Sequence, residues 1–253
     1  MGIQTIAAAF IAGEMAWSRA SLHGPAFTLI VIAGLAFVFA GYANAFNFMD
    51  GINGIAAGQA VVTGIGTALL GGLALEGFPN APVLLSLVVA GAAAGFLPHN
   101  FPKARMFMGD VGSAPLGFLL AALAVWLAKI AGWWLIVPIA LLHANFVLDT
   151  GITLGRRIFR GERWYEAHRE HFYQRLVRTG KGHTLVTLLE MGLQCVVLGL
   201  LTLYIFSGAS ARLILAVVVI TIWLSFFAWA EICFSMFLAE QGQTAPVKLP
   251  TVP

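Results

Sequence analysis

Asn44-Ala-Phe-Asn47-Phe-Met-Asp50-Gly51-Ile-Asn53-Gly54 ends a long apolar segment with three carboxamides and a carboxylate within ten residues. The rest of the chain avoids such side chains. Of its 253 residues 60% are hydrophobic and 10% charged, and the mean hydropathy is +0.89. Apolar stretches of about 18 residues or more read as membrane spans, because a hydrocarbon core ~30 Å thick takes roughly 20 helical residues. Only helices and closed barrels satisfy their own backbone in lipid. The composition therefore specifies an all-α, polytopic helical membrane protein with about seven to eight transmembrane helices, and excludes a soluble domain.

Outward from the opening stretch, spans are expected at 3–17 (short, interrupted by Glu14), 25–46, 55–75, 82–98, 114–131, 133–155, 184–206 and 211–238. Glu76, Pro79 and Asn80 mark a turn, and Pro98-His99-Asn100-Phe101-Pro102 is expected to break a helix before Lys103 and Arg105. Trp133 and Trp134 sit at a hairpin bend, where indoles favour the membrane interface. Residues 156–183 read as a basic, histidine-containing loop, and 1–253 as a single integral membrane domain without internal repeats. Cys195 and Cys233 lie in apolar stretches and imply no disulfide framework. Met1-Gly2-Ile-Gln-Thr lacks the basic region of a secretory signal, and Gly2 lacks the hydroxyl residue of a myristoylation site.

Parity and charge orient the chain. Two spans separate 47–54 from 99–112, and two more separate 99–112 from 156–183, so all three polar stretches emerge on one side. Ten of the fourteen Lys and Arg lie in the second and third of these stretches. The excess of basic residues on cytoplasmic loops makes that side cytoplasmic. Arg19 and Arg212 fall on the opposite side.

Each stretch has chemistry to offer. Asn44, Asn47 and Asp50 recur every three residues and share one face of a helix near its end. Polar groups at that depth are costly unless used, although an ordinary polar helix end reads the same way. In Phe107-Met-Gly-Asp110-Val-Gly112-Ser113 the serine is expected to cap the next helix, turning its amides towards a phosphate. Asp110 is a hard oxygen ligand suited to Mg²⁺, though a tight interhelical turn would use the same residues. Loop 156–183 carries eight basic residues against three Glu, a pattern common in membrane-surface clusters. His168, His171 and Arg175 would align on one face if the chain is helical from Trp164, offering donors to a diphosphate. A zinc site would need a third ligand, and none is spaced nearby. Asp149, near the end of a span, is expected to be structural or to support a site residue, with Arg156 or Arg157 as its partner and a catalytic role as the alternative.

Together these motifs resemble the polyprenyl-phosphate N-acetylhexosamine-1-phosphate transferases, the membrane family that includes phospho-N-acetylmuramoyl-pentapeptide translocase. The matching pieces are Asn44 to Gly54, Phe107 to Ser113, and Asp149 through Arg156-Arg157 to His168-Arg169-Glu170-His171-Phe-Tyr-Gln-Arg-Leu. The last looks most like the branch that starts O-antigen-type polysaccharides. The resemblance implies transfer of a sugar 1-phosphate from a UDP-N-acetylhexosamine to undecaprenyl phosphate, on the cytoplasmic face of a bacterial inner membrane. It implies Asp110, His168 and His171 as catalytic residues. Substrate-binding roles would fall to Asn44, Asn47, Asp50, Asn53, Asn100 and Arg169. Asp110 and Asn47 would hold Mg²⁺, with Mn²⁺ as a substitute. The implied partners are the nucleotide sugar, the polyprenyl lipid, membrane lipid and a second copy in a homodimer; nucleic acid is not among them.

Two departures from the family pattern stand out. Asn53 occupies a position where relatives commonly have Asp, and the chain contains no Asp-Asp pair, which relatives carry in an earlier cytoplasmic loop. Gln4 to Ala9 looks like the stretch that follows that loop, so about three helices of the family are expected to precede this sequence. The alternatives are a catalytically silent, truncated membrane subunit that binds polyprenyl phosphate, and a transporter. Transporters gather polar groups near the midplane, whereas these gather at helix ends.

Overall fold

The computed structural model describes residues 2–75, 80–163 and 168–242, with the side chains of 2–10, 12, 14–23 and 25 outside that description. The expectations resting on Glu14, Arg19, Glu76, Pro79 and Trp164 lie outside it. The described residues form helices α1 (Gly2–Phe48), α2 (Ile55–Ala74), α3 (Ala81–Asn100), α4 (Gly109–Ala131), α5 (Ile136–Leu142), α6 (Ala144–Phe159), α7 (Phe172–Arg178), α8 (His183–Phe206) and α9 (Ala209–Glu240), with a 3₁₀ turn at Trp133–Leu135. There is no strand among them. Six helices are long and apolar enough to cross a membrane, or seven if the bent pair α5–α6 counts as one span. The protein is thus an all-α, multi-pass membrane protein.

Three expected boundaries move. Spans 3–17 and 25–46 merge into α1, kinked where Gly24 takes φ 77°, and the apolar segment long enough to cross is Ala26–Phe48. The span expected to end at residue 98 runs on to Asn100, carrying Pro98 internally, so the stretch Pro98 to Pro102 does end the helix before Lys103. Span 133–155 is broken at His143, where the 3₁₀–α5 arm and α6 meet at 71°. The basic loop is also partly helical, since α6 runs to Phe159 and α7 occupies Phe172–Arg178.

The bundle is built around α2, which is 78% buried against 17% for Ala26–Phe48. Its glycine- and alanine-rich sequence lets neighbours come close. At the α1–α4 crossing, a Cβ on Gly117 would lie 3.0 Å from Ala43 Cα and 3.1 Å from Tyr42 O. Small residues of this kind drive helix association in lipid, where burial of apolar area adds nothing between helices. The α6 face is the reverse of a soluble one. Asn145, Asp149, Thr153 and Arg157 recur every four residues and are all buried, forming a polar stripe turned inward.

The far end of the bundle explains the dissenting charge. Arg212 stacks over Trp134 at 4.6 Å and Tyr204 at 5.4 Å, and donates to the carbonyls of Tyr204 and Ile205. It neutralises the carbonyl end of α8, a local duty that favours a cation.

Candidate active site

The α1–α2 turn, the α3–α4 connection and the segment leading into α7 and α8 converge at one end of the bundle. The Gly54 amide donates to Asn100 Oδ1 (2.7 Å), and Asn100 Nδ2 donates to Met106 O (2.8 Å). Asn53 Nδ2 donates to Pro102 O (3.0 Å), while Thr187 Oγ1 donates to Asn53 O (2.8 Å). His183 Nδ1 lies 3.3 Å from Asn53 Oδ1. Gly54 sits at φ 80°, with Phe101 packed where a Cβ would be, so the turn requires glycine. Tyr173 completes the joint: its hydroxyl donates to Phe48 O (3.0 Å) and receives from Gln174 Nε2 (3.0 Å). A Cβ on Gly51 would lie 2.1 Å from that hydroxyl.

The acidic half of the site lies between α1 and α4. Asp50 stands just past the end of α1, half-buried, and Asp110 lies exposed in the first turn of α4. Burial and the Asp110 carboxylate push Asp50 up to about 7. Neither aspartate pairs with a Lys or Arg among the described residues. Two neighbouring carboxylates without a counterion fit a hard divalent cation. Among the described residues no three His, Cys, Asp or Glu side chains surround one point. Such a cation would therefore complete its shell with water and ligand oxygens, as Mg²⁺ does. Asn47 Oδ1 accepts from the Ser113 hydroxyl at 2.5 Å, tying the end of α1 to the start of α4.

The histidine half is built on Asp149, which is fully buried. Its carboxylate accepts from His171 Nδ1 (2.9 Å), from the Phe172 amide (3.0 and 3.2 Å) and from Thr153 Oγ1 (3.2 Å). With Nδ1–H directed at Asp149, Nε2 is the nitrogen of His171 left for other work. The His171 ring is buried between Phe48 and Tyr173, with centroids 6.4 and 5.9 Å away. His168 lies over it at 5.0 Å and is half-buried. Burial, His171 and Arg157 hold His168 below the usual histidine range, so it is neutral at pH 7 and able to accept a proton. Tyr173 links the halves, since it stacks on His171 and abuts Gly51, the neighbour of Asp50.

Several sequence expectations are corrected. Ser113 caps nothing; it is the fifth residue of α4 and bonds Gly109 O as well as Asn47. Arg156 and Arg157 do not serve Asp149. Arg156 pairs with Glu231 (2.7 Å), and Arg157 with Glu170 (2.6 Å) and Glu162 (2.9 Å). Arg175 does not share a ligand face with the histidines, because it is buried against Glu231 (2.8 Å) and Glu170 O (2.8 Å). Asn44 turns back along its own helix to Ala40 O (2.7 Å). Asn100 and Asn53 use both ends of their amides within the protein, and Arg169 is exposed. Sequence reasoning missed Tyr173, whose place among the basic residues gave no sign that it joins the two halves.

Fold and site together define a multi-pass membrane protein with acidic and histidine groups gathered at one end of its helices. The description "Glycosyl transferase family 4" matches residues 1–128, half of the chain, and the chain belongs to that family. It is 34% identical over 163 residues to decaprenyl-phosphate N-acetylglucosaminephosphotransferase of Mycobacterium leprae, covering 58% of this chain and 41% of the relative. It is 33% identical over 203 residues to the probable undecaprenyl-phosphate N-acetylglucosaminyl 1-phosphate transferase of Bacillus subtilis, covering 79% and 52%. It is 36% identical over 135 residues to phospho-N-acetylmuramoyl-pentapeptide-transferase of Enterococcus faecalis, covering 50% and 39%. The chain thus spans between 39% and 52% of these relatives' length. A match covering 79% of the chain takes in Asp110, Asp149, His168 and His171 wherever it begins.

Proposed function

We propose that this chain is a membrane phosphotransferase that moves N-acetylhexosamine 1-phosphate from a UDP-sugar to undecaprenyl phosphate. It would do so at the cytoplasmic face of a bacterial inner membrane, as the first lipid-linked step of an envelope polysaccharide. The observation that carries this reading is the like-charged pair Asp50–Asp110 set beside the Asp149-anchored histidines, with Tyr173 between them. Phosphoryl transfer needs positioning and charge neutralisation more than covalent help. In this reaction an oxygen of the lipid phosphate attacks the sugar-bearing phosphorus, the bridging P–O bond breaks, and UMP departs.

Asp110 and Asp50, with the Asn47 amide alongside, would hold Mg²⁺, or Mn²⁺ in its place. The ion would supply charge neutralisation to the diphosphate. His168, half-buried over His171, and the exposed Arg169 are the basic groups a diphosphate would meet. His171 acts beneath them, its orientation fixed by Asp149. Asn53 and Asn100 shape the mouth of the site by bracing the α1–α2 turn against the α3–α4 connection. Lipid acceptor and nucleotide sugar would approach from the bilayer and from water respectively, since the cluster lies at the helix ends.

A silent lipid-phosphate-binding subunit is the second reading, favoured by Asn53 and Asn100, whose amides are spent within the protein. Incorporation of radiolabel from UDP-N-acetylhexosamines into undecaprenyl phosphate separates the two. The transferase reading expects Mg²⁺-dependent labelling that EDTA removes, while folded chain without labelling supports the silent subunit.

A further inference from the structure

The transferase reading makes no use of a polar cluster deeper in the bundle, around the break between α5 and α6. Glu190 lies two turns into α8, ~10 Å from its start at 1.5 Å per residue, and is fully buried. Asp50 and Asp110 stand at the helix ends, and other described carboxylates have donors. Glu162, Glu170 and Glu231 take arginines, and Asp149 takes His171, Phe172 and Thr153. Neither Glu190 oxygen meets a donor at full hydrogen-bond geometry, and the amide that approaches it, Asn145, is neutral. One turn further along the same face of α8 is Gln194, also fully buried. Its Nε2 donates to Leu142 O, at the last residue of α5, and its Oε1 is left without a partner.

The surroundings offer no positive charge. On α2 and α6, Gln59 and Asn145 exchange both amide hydrogen bonds (3.0 and 2.9 Å). Asn145 lies alongside Glu190, and the remaining titratable neighbours are Asp149 on α6 and Tyr173 on α7. Tyr173 spends its hydroxyl proton on Phe48 O. Three buried acceptor oxygens, a single uncompensated carboxylate and a discontinuous helix therefore meet within the membrane-spanning part of the fold. A carboxylate there is expensive unless paired, and broken helices with side-chain and carbonyl oxygens are how membrane proteins hold small cations.

We propose that the α5–α6 break holds one dehydrated monovalent cation, of the Na⁺ or K⁺ class, between the Glu190 carboxylate and the Gln194 carboxamide oxygen. One carboxylate matches one positive charge. The cation locks α8 to the broken span and so rigidifies the elements that carry Asn145, Asp149 and, through it, His171. This site is separate from the Asp50–Asp110 pair, and its test does not depend on the transferase reading.

The test is thermal unfolding of the purified chain in lipid nanodiscs, in NaCl, KCl or N-methyl-D-glucamine chloride at equal ionic strength without Mg²⁺. The expected result is a saturable rise in unfolding temperature with Na⁺ or K⁺ and none with the organic cation, because a ligand of the folded state stabilises by mass action. Glu190→Gln should lose that dependence while keeping the unfolding temperature of the cation-loaded parent, since the neutral amide needs no counter-charge. Equilibrium binding of ²²Na⁺ to the unaltered chain, displaced by unlabelled Na⁺ or K⁺, provides the readout should the variant fail to fold. Unfolding temperatures that are equal in all three salts overturn the proposal. Stability that follows pH but not the cation also overturns it, and shows that Glu190 is kept neutral by a proton.

Discussion

Asp149 has no exposed surface, yet it fixes His171 and leaves that ring's second nitrogen to act. A hydrogen bond from a carboxylate selects the tautomer and ring angle of such a histidine. Asp149→Asn should therefore leave the protein folded, at a cost of about 1–3 kcal/mol for imperfectly paired donors, and lower transfer by at least an order of magnitude. Unfolding and turnover measured on one preparation distinguish these effects. Asp50 makes a second residue-scale prediction. Its folded-state value of about 7 lies above the ordinary carboxylate range, so its proton stabilises the fold in acid, and that contribution is lost as pH rises through about 7. On the proposed reading a divalent cation would take the proton's place. Mg²⁺ should raise the unfolding temperature more at about pH 8 than at about pH 6, and Asp50→Asn should remove the difference. A Mg²⁺ effect that is independent of pH in the parent would contradict the shared acidic site. The sequence made Asp50, Asp110 and the histidines legible because carboxylates and imidazoles are rare in so apolar a chain. It could not show which arginine serves which acid. Arg156, Arg157 and Arg175 are chosen by the position of Glu231 on a helix more than fifty residues away and by the return of Glu170, both consequences of tertiary packing.

At the scale of helices, apolar length located the spans and glycine decided how they pack. Gly117→Ala places a methyl against α1 backbone, and overpacking of that kind costs about 1–3 kcal/mol. Gly95→Ala in α3 meets nothing within 4 Å and should be neutral or stabilising by up to ~1 kcal/mol through helix propensity. Thermal melts of the two variants in the same detergent check the contrast. Similar destabilisation by both would mean that the α1–α4 crossing is not the close contact described. The break at His143 was hidden in the sequence. No proline or glycine marks it, and the run 133–155 is apolar enough to read as one helix. The inward polar stripe Asn145, Asp149, Thr153, Arg157 was present at regular spacing, but its direction depends on the 71° bend that precedes it.

For the molecule as a whole, counting spans put three polar stretches on one side, and the structure brings all three into contact through Asn53, Asn100 and Tyr173. Parity survived the merging of the first two expected spans because both lie before the opening stretch. With Cys195 and Cys233 replaced, single cysteines at Asn53, Lys103 and Arg169 should all be labelled by an impermeant maleimide in inverted vesicles and spared in intact cells. Labelling of any of them from outside would overturn the cytoplasmic placement. On the proposed reading the aspartate pair and the anchored histidines together form a phosphotransfer site. Its most direct test is transfer of radiolabel from UDP-N-acetylglucosamine to undecaprenyl phosphate by membranes carrying this chain, compared with the Asp110→Asn variant at equal expression. Mg²⁺-dependent label is expected in the lipid fraction of the parent, with background in the variant. Equal label in both, or none from a parent shown to be folded, would contradict that reading.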